Sequence, residues 1–206
     1  MAKFSSTTFG QISGKHGTAV AAHQNGQNIL KVYTKPGNPR SIKQLTQRAK
    51  FAAITKGMSP LRAVINEGFQ TSVGYNRSIS AALSNAVKGS YPKFELDYAK
   101  VIVSNGLLHK TEKASCVKKT GTVVTVNWDA TLFSGGSKTD DVNLLFYNPL
   151  SRNTFVSKAV AKRSAATVEV TLPAVWAGAN THCWIYFTSA LTGDNSASLY
   201  ISSLTL

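Results

Sequence analysis

The sequence predicts an α+β chain. A basic N-terminal β-hairpin and short helical cluster over residues 1–90 precede an immunoglobulin-like or fibronectin type III-like β-sandwich over residues 91–206. Three observations carry this reading. Glycine-punctuated strand-like segments and an Asn-Gly turn open the chain. Apolar residues then recur at helical spacing over 42–88. Finally, about six or seven short alternating runs, divided by turn residues, fill the remainder. A hydrophobic content of 43% in 206 residues suffices for a packed core and argues against intrinsic disorder.

Residues 9–34 read as strands joined by tight turns. The run from Phe9 is broken by Gly10, Gly14 and Gly17, and Asn25-Gly26 is a strong hairpin signal. Ile29-Leu30-Lys31-Val32-Tyr33 has strand composition, and Lys35-Pro36-Gly37-Asn38-Pro39 ends regular structure. Ser41 can cap a helix in which Ile42, Leu45, Ala49, Ala52 and Ala53 share one face and Lys43, Gln47 and Lys50 another. After Gly57, the Ser59-Pro60 pair restarts a helix that turns Leu61, Val64 and Ile65 inward and closes at Gly68. A third helix is expected over 76–88, burying Ile79, Ala82, Leu83, Ala86 and Val87 before Gly89.

From residue 91 the texture changes. Strands are expected over 101–103, 123–128, 142–147, 154–160, 167–172, 183–187 and 198–201. Asn105-Gly106, Gly135-Gly136, Asn148-Pro149, Trp176-Ala177-Gly178 and Gly193-Asp194-Asn195 supply the turns. Such spacing fits a two-sheet sandwich, with Trp128 and Trp184 as core residues of the facing sheets.

Charge is unevenly spread. The 23 Lys and Arg against 9 Asp and Glu give +14, yet ten bases precede the first acid, Glu67. Residues 1–90 carry +11 and residues 91–206 only +3. A folded segment with almost no acids cannot balance its own charge, so an anionic partner is expected, either nucleic acid or an acidic protein surface. The candidate contacts are Lys15, Lys31, Lys35, Arg40, Lys43, Arg48 and Lys50. Tyr33 and Phe51 could stack on bases, although core packing is the commoner role for such residues.

Groups for catalysis are not assembled in the sequence. His16, His23, His109 and His182 lack helical i, i+4 spacing, and His182-Cys183 on one strand points to opposite faces. Cys116 and Cys183 read as free or buried thiols, and Asp140-Asp141 as a charged loop edge rather than a catalytic pair. The run from Gly10 to Gly17 is not a phosphate-binding loop: three residues separate Gly10 from Gly14, His16 replaces Ser or Thr, and a hairpin follows. No catalytic residue, cofactor or metal site is therefore expected. Trp176, in its turn, is the one aromatic suited to a carbohydrate-binding loop. No apolar run of about 18 residues exists for a membrane span. Met1-Ala2-Lys3-Phe4-Ser5-Ser6 leads into polar residues, so cytoplasmic synthesis without a secretory signal is expected.

Several motifs carry a resemblance. Gly14-Lys15-His16-Gly17, Asn25-Gly26 and Pro36-Gly37-Asn38-Pro39-Arg40-Ser41 are followed by Gln44, Arg48 and Phe51 in a Gln-x-x-x-Arg-x-x-Phe pattern. Gly68-Phe69, Tyr91-Pro92, Asp97-Tyr98 and Ser104-Asn105-Gly106-Leu107-Leu108 come next, then Leu172-Pro173, Trp176 and the turn from Gly193 to Ser198. The chain thus resembles an uncharacterised family of proteins from Bacteroidota and their phages, departing at His16, where an aliphatic residue is expected. The resemblance implies a basic N-terminal β/helical part joined to a β-sandwich and attaches no activity. The expectation is a non-enzymatic structural or assembly protein, a phage virion component, with self-assembly or protein partners. The alternative is a phosphate-directed nucleic-acid-binding protein without sequence preference.

Overall fold

A computed structural model describes residues 2–4, 10–24, 26–35, 37–38, 40–132 and 136–206. The chain is mixed α and β, with antiparallel strands in several sheets. Backbone contacts group it into two units, Met1–Ser41 and Ile42–Leu206. The change of texture at residue 91 falls inside the second unit, because the helices there share a core with the strands that follow. The turn residues Asn25, Pro36, Pro39 and Gly135, and Phe9 before the first turn, lie outside the described residues.

The first unit is a four-stranded antiparallel sheet. Strands β1 (Ala2–Phe4), β2 (Gly14–His16), β3 (Ala19–Gln24) and β4 (Gln27–Val32) are ordered β1-β4-β3-β2. The expected hairpin is β3–β4, where Gln24 faces Gln27 across a two-residue turn and Gly26 takes φ +76°. Asn28 ties the sheet to the incoming loop. Its amide donates to the Gly10 carbonyl at 2.7 Å, and its Oδ1 lies 2.8 Å from His23 Nδ1.

The second unit begins with α1 (Ile42–Met58). A 3₁₀ turn at Ser59–Leu61 leads into α2 (Arg62–Gly68), and α3 (Gly74–Asn85) follows. Leu61, Val64, Ile65, Ile79, Ala82 and Ala86 are buried as expected. The face of α1 differs from its sequence reading. Ile42 is 74% exposed and Ala52 is exposed, whereas Ile54 and Met58 are buried. The inward stripe is rotated toward the Lys43/Gln47/Lys50 side, so Lys50 is half-buried with its ammonium 5.5 Å from the Phe94 ring.

The third helix stops at Asn85, before the expected residue 88. Val87–Ser90 is instead strand β5, paired with β6 (Lys93–Leu96). Ala82, Leu83, Ala86 and Val87 satisfy a helical period, but β-branched Val87 and the Tyr91-Pro92 turn favour a hairpin over another helical turn. Residues 101–103 are not the expected strand: they form no ladder, although Val101 and Val103 are buried and Ile102 is exposed. Side chains satisfy this backbone: Trp184 Nε1 donates to the Val101 carbonyl, Ser78 Oγ donates to the Ile102 carbonyl, and the Val103 amide donates to Ser198 Oγ.

Seven strands complete the unit. They are β7 (Ala114–Thr120), β8 (Val123–Trp128), β9 (Asp141–Asn148), β10 (Asn153–Lys162), β11 (Thr167–Thr171), β12 (Asn180–Thr188) and β13 (Leu199–Thr205). One sheet runs β10-β9-β12-β13 and the other β11-β8-β7. Strand β7, without a run of strong β formers, was not expected. The central strands β9 and β12 are buried on both faces. Leu145, Tyr147 and Trp184 meet the helices, while Val142, Leu144, Phe146, Ile185 and Phe187 meet β8 and β11 in a second core. The two tryptophans do occupy different sheets but belong to different cores, since Trp184 turns toward the helices and Trp128 toward the other sheet. Trp176 is 2% exposed, which removes it as a loop platform for carbohydrate.

His182 and Cys183 point to opposite faces as the alternation requires. His182 stacks on Tyr98 at 4.5 Å, while Cys183 lies in the inter-sheet core beside Cys116, both being free thiols. A hydrogen bond from Cys183 draws the Cys116 thiol down, and burial pushes Cys183 up.

The Asp140-Asp141 pair is not a charged loop edge. Asp140 is fully buried and accepts from Arg163 Nε at 3.1 Å and from the Ser137 amide at 2.8 Å. The Arg163 guanidinium also donates to the His109 carbonyl and lies 3.8 Å from the Phe187 ring centre. Its own carbonyl accepts from Trp128 Nε1 at 2.8 Å. Asp141, by contrast, pairs with Lys162 near the surface at 2.6 Å.

Removing one member of a buried pair strands the other charge, whereas an exposed pair contributes little. Asp140→Asn is expected to cost about 3–5 kcal/mol in urea unfolding, against less than about 1 kcal/mol for Asp141→Asn. Equal costs would show that Arg163 finds other compensation. A second expectation concerns pH. Burial holds His182 below its ordinary value of 6.5, partly offset by Asp97. The unfolded chain therefore binds a proton more readily, and stability falls as pH drops below 6.5. His182→Gln should flatten the urea midpoint between about pH 7 and pH 5; an unchanged slope would assign the loss to other groups.

Candidate functional site

The expected anionic-partner contacts separate into three places. Lys15 lies on β2 and Lys31 on β4, both exposed. Lys35 and Arg40, after β4, are exposed. Lys43 and Arg48 are exposed on α1, while Lys50 is half-buried against Phe94.

Register builds a surface from the first group. Lys15 pairs with Val20, and Val20 with Lys31. In the next row, Lys3 pairs with Ile29, and Ile29 with Ala22. Directly paired residues share a face, as do residues two apart on a strand, and no register shift interrupts these ladders. Lys3, Lys15 and Lys31 therefore project from one face, around Val20, Ala22 and Ile29. Lys3 escaped the sequence reading because strand β1 and its register to β4 leave no local signal.

Tyr33 continues this surface. The Lys15 ammonium lies 4.2 Å from its ring centre, and Tyr33 is 43% exposed. Phe51 on α1 is 49% exposed, so core packing, the commoner role, holds for neither aromatic. His16, where the resemblance departs, is exposed, so no packed position there demands an aliphatic residue.

Magnitudes show what this face requires. Lys15 and Lys31 stand two strands apart, about 10 Å, where repulsion in a water-like dielectric is about 0.4 kcal/mol. That is too small to decide folding. Burial is the more severe limit, because Ala21 and Ile29 are the buried apolar side chains among the described residues of this unit. Leu30 and Val32, on the opposite face, are 36% and 80% exposed. Among its described residues, then, the unit Met1–Ser41 shows little apolar burial.

A second constellation gathers motifs that are far apart in sequence. Ser104 Oγ donates to the Gly68 carbonyl at 2.9 Å or to the Ser196 carbonyl at 2.8 Å, and Asn195 Nδ2 also donates to Gly68. Ser198 Oγ accepts from the Val103 and Ser104 amides. The Gly68-Phe69, Ser104-Asn105-Gly106 and 193–198 motifs thus form one knot, explained by architecture. Glycine is required where backbones touch: a Cβ at Gly68 would lie 2.3 Å from the Val103 carbonyl oxygen, and one at Gly106 2.0 Å from that of Asn195.

Gly106→Ala should therefore destabilise by about 2–3 kcal/mol in thermal or urea unfolding, while Asn105→Ala next to it, exposed, should change little. A neutral Gly106→Ala would mean that the 193–198 loop can withdraw at no cost.

Comparison with known families accounts for nearly the whole chain. The protein belongs to a family of unknown function, DUF6266, whose sequence model matches residues 11–202. The match runs through both units, the basic sheet and the layered part alike. No curated protein matches the chain.

Proposed function

We propose that this DUF6266 member is a non-enzymatic assembly protein whose basic N-terminal part docks on an anionic surface of a partner protein. The observation that carries the reading is the acid-free segment 1–41, whose sheet brings Lys3, Lys15 and Lys31 to one face. The resemblance seen in the sequence extends the proposal to the virion of a Bacteroidota phage.

The proposal keeps residues 1–90 as the basic part and 91–206 as a sandwich of fibronectin type III-like or immunoglobulin-like type. Strand order supports a two-sheet sandwich, with its fourth strand in the sheet of the third, sixth and seventh instead of joining the first, second and fifth as in an immunoglobulin constant domain. Counting from β7, the first, second and fifth strands face the third, fourth, sixth and seventh, all antiparallel within each sheet. One observation favours a second reading. A lysine over an exposed tyrosine ring on a basic face also suits phosphate contact and base stacking, hence nucleic acid.

Size-exclusion chromatography with light scattering on the full chain tests the first reading. Oligomers are expected at about 50 mM salt, shifting toward monomer at about 500 mM and in the Lys15→Glu/Lys31→Glu variant. A strictly monomeric chain at every concentration would count against assembly. Anisotropy titration with a fluorescent oligonucleotide at about 50 mM salt decides the second. Binding that weakens steeply with salt would move the anionic partner from protein to nucleic acid.

A further inference from the structure

On the helix side of the central sheet lies an open cleft of about 690 Å³, a volume within the usual range for small-molecule sites. Asn143 of β9 and Tyr186 of β12, cross-strand neighbours, line its base. Glu67 and Gln70 at the end of α2 form one wall, and Lys158 and Ala159 of β10 the other. The ladder of β10 is interrupted between Ser157 and Ala161, a bulge of the kind that re-aims side chains next to sites. Ala159 and Gln70 hold φ of +47° and +53°, a conformation disfavoured for residues with a Cβ.

Most amides of the cleft are committed to holding it rigid. The Ala159 amide donates to Asn143 Oδ1, Asn143 Nδ2 donates to Thr188 Oγ1, and Thr188 donates to Asn195 Oδ1. Tyr186 is the exception. It is 3% exposed and lines the cleft, and its hydroxyl has no hydrogen-bond partner among the described residues. Burial and the charge of Glu67 push this phenol up to about 12, so at neutral pH it is a donor.

The lining also limits what can enter. Glu67 is paired with Lys158 and Asp141 with Lys162. An anion would meet two carboxylates, a cation would meet Lys158, and an apolar molecule would strip water from all of them. A ligand that both donates and accepts hydrogen bonds without net charge satisfies every group. We propose that the cleft binds a saccharide residue through the Tyr186 hydroxyl, with the Glu67–Lys158 pair bridging the ligand's hydroxyls at the rim. No exposed aromatic face lines the cleft for ring stacking, so the affinity is in the millimolar range. This site is separate from the basic sheet, and either can fail without the other.

The test is an amide-resolved NMR titration of the full chain with the methyl glycosides of glucose, galactose, mannose and N-acetylglucosamine. Saturable shifts confined to residues lining the cleft are expected with at least one sugar. Tyr186→Phe, which removes an unpartnered hydroxyl, should leave the melting temperature unchanged and weaken binding about tenfold. Lys158→Met at the exposed rim should also weaken it. No saturable shift with any of the four sugars would overturn the proposal, as would affinity unchanged in both variants. Saturable shifts of the same residues with inorganic phosphate would overturn the uncharged ligand class.

Discussion

The second unit depends on two central strands packed on both faces. Strands β9 and β12 are covered by helices on one side and by β8 and β11 on the other, so each successive side chain must suit a different core. Sheets covered on both faces read as continuous apolar runs rather than alternating ones. Cys183-Trp184-Ile185-Tyr186-Phe187 is such a run, and Val142-Asn143-Leu144-Leu145-Phe146-Tyr147 is one interrupted by Asn143. A slip of one residue would exchange the two faces, sending Trp184 into the inter-sheet core and Cys183 toward the helices.

Polar groups secure that register at the ends of the two strands. At one end, Arg163 and Asp140 join β9, the turn after β10 and the indole of Trp128 inside a volume without water access. Buried pairs of this kind add little net stability but penalise arrangements that separate them. On the opposite face, Asn143, Thr188 and Asn195 link the same two strands to α2. The second network is open to solvent on one side, which is why it shapes a cleft and the first does not.

Much of the fold was legible in the sequence, and the misses share a cause. The strong runs 142–147 and 183–187 were readable because both cores select apolar residues there. The inward face of α1 is not legible in the sequence, because alanines at 49, 52 and 53 indicate a helix without indicating its inward side; Ile54 and Met58 decide that through tertiary packing. Asp140 looked like a solvent-edge acid because its partner lies 23 positions later and no local pattern links them. The basic candidates at Lys15 and Lys31 were visible as charge, but their common face exists only once β2, β3 and β4 are aligned. The cleft was invisible, since Glu67, Asn143, Lys158 and Tyr186 carry no motif and meet only through the bulge and the α2 terminus.

The extended segment at 101–104 has a consequence for the order of folding. Its backbone groups bond not to a neighbouring strand but to Ser78, Trp184 and Ser198, partners 24, 83 and 95 positions away. Such bonds cannot form until α3, β12 and the segment entering β13 have met, so each waits for the closure of long loops. This stretch therefore takes its bonded form only once those elements have come together.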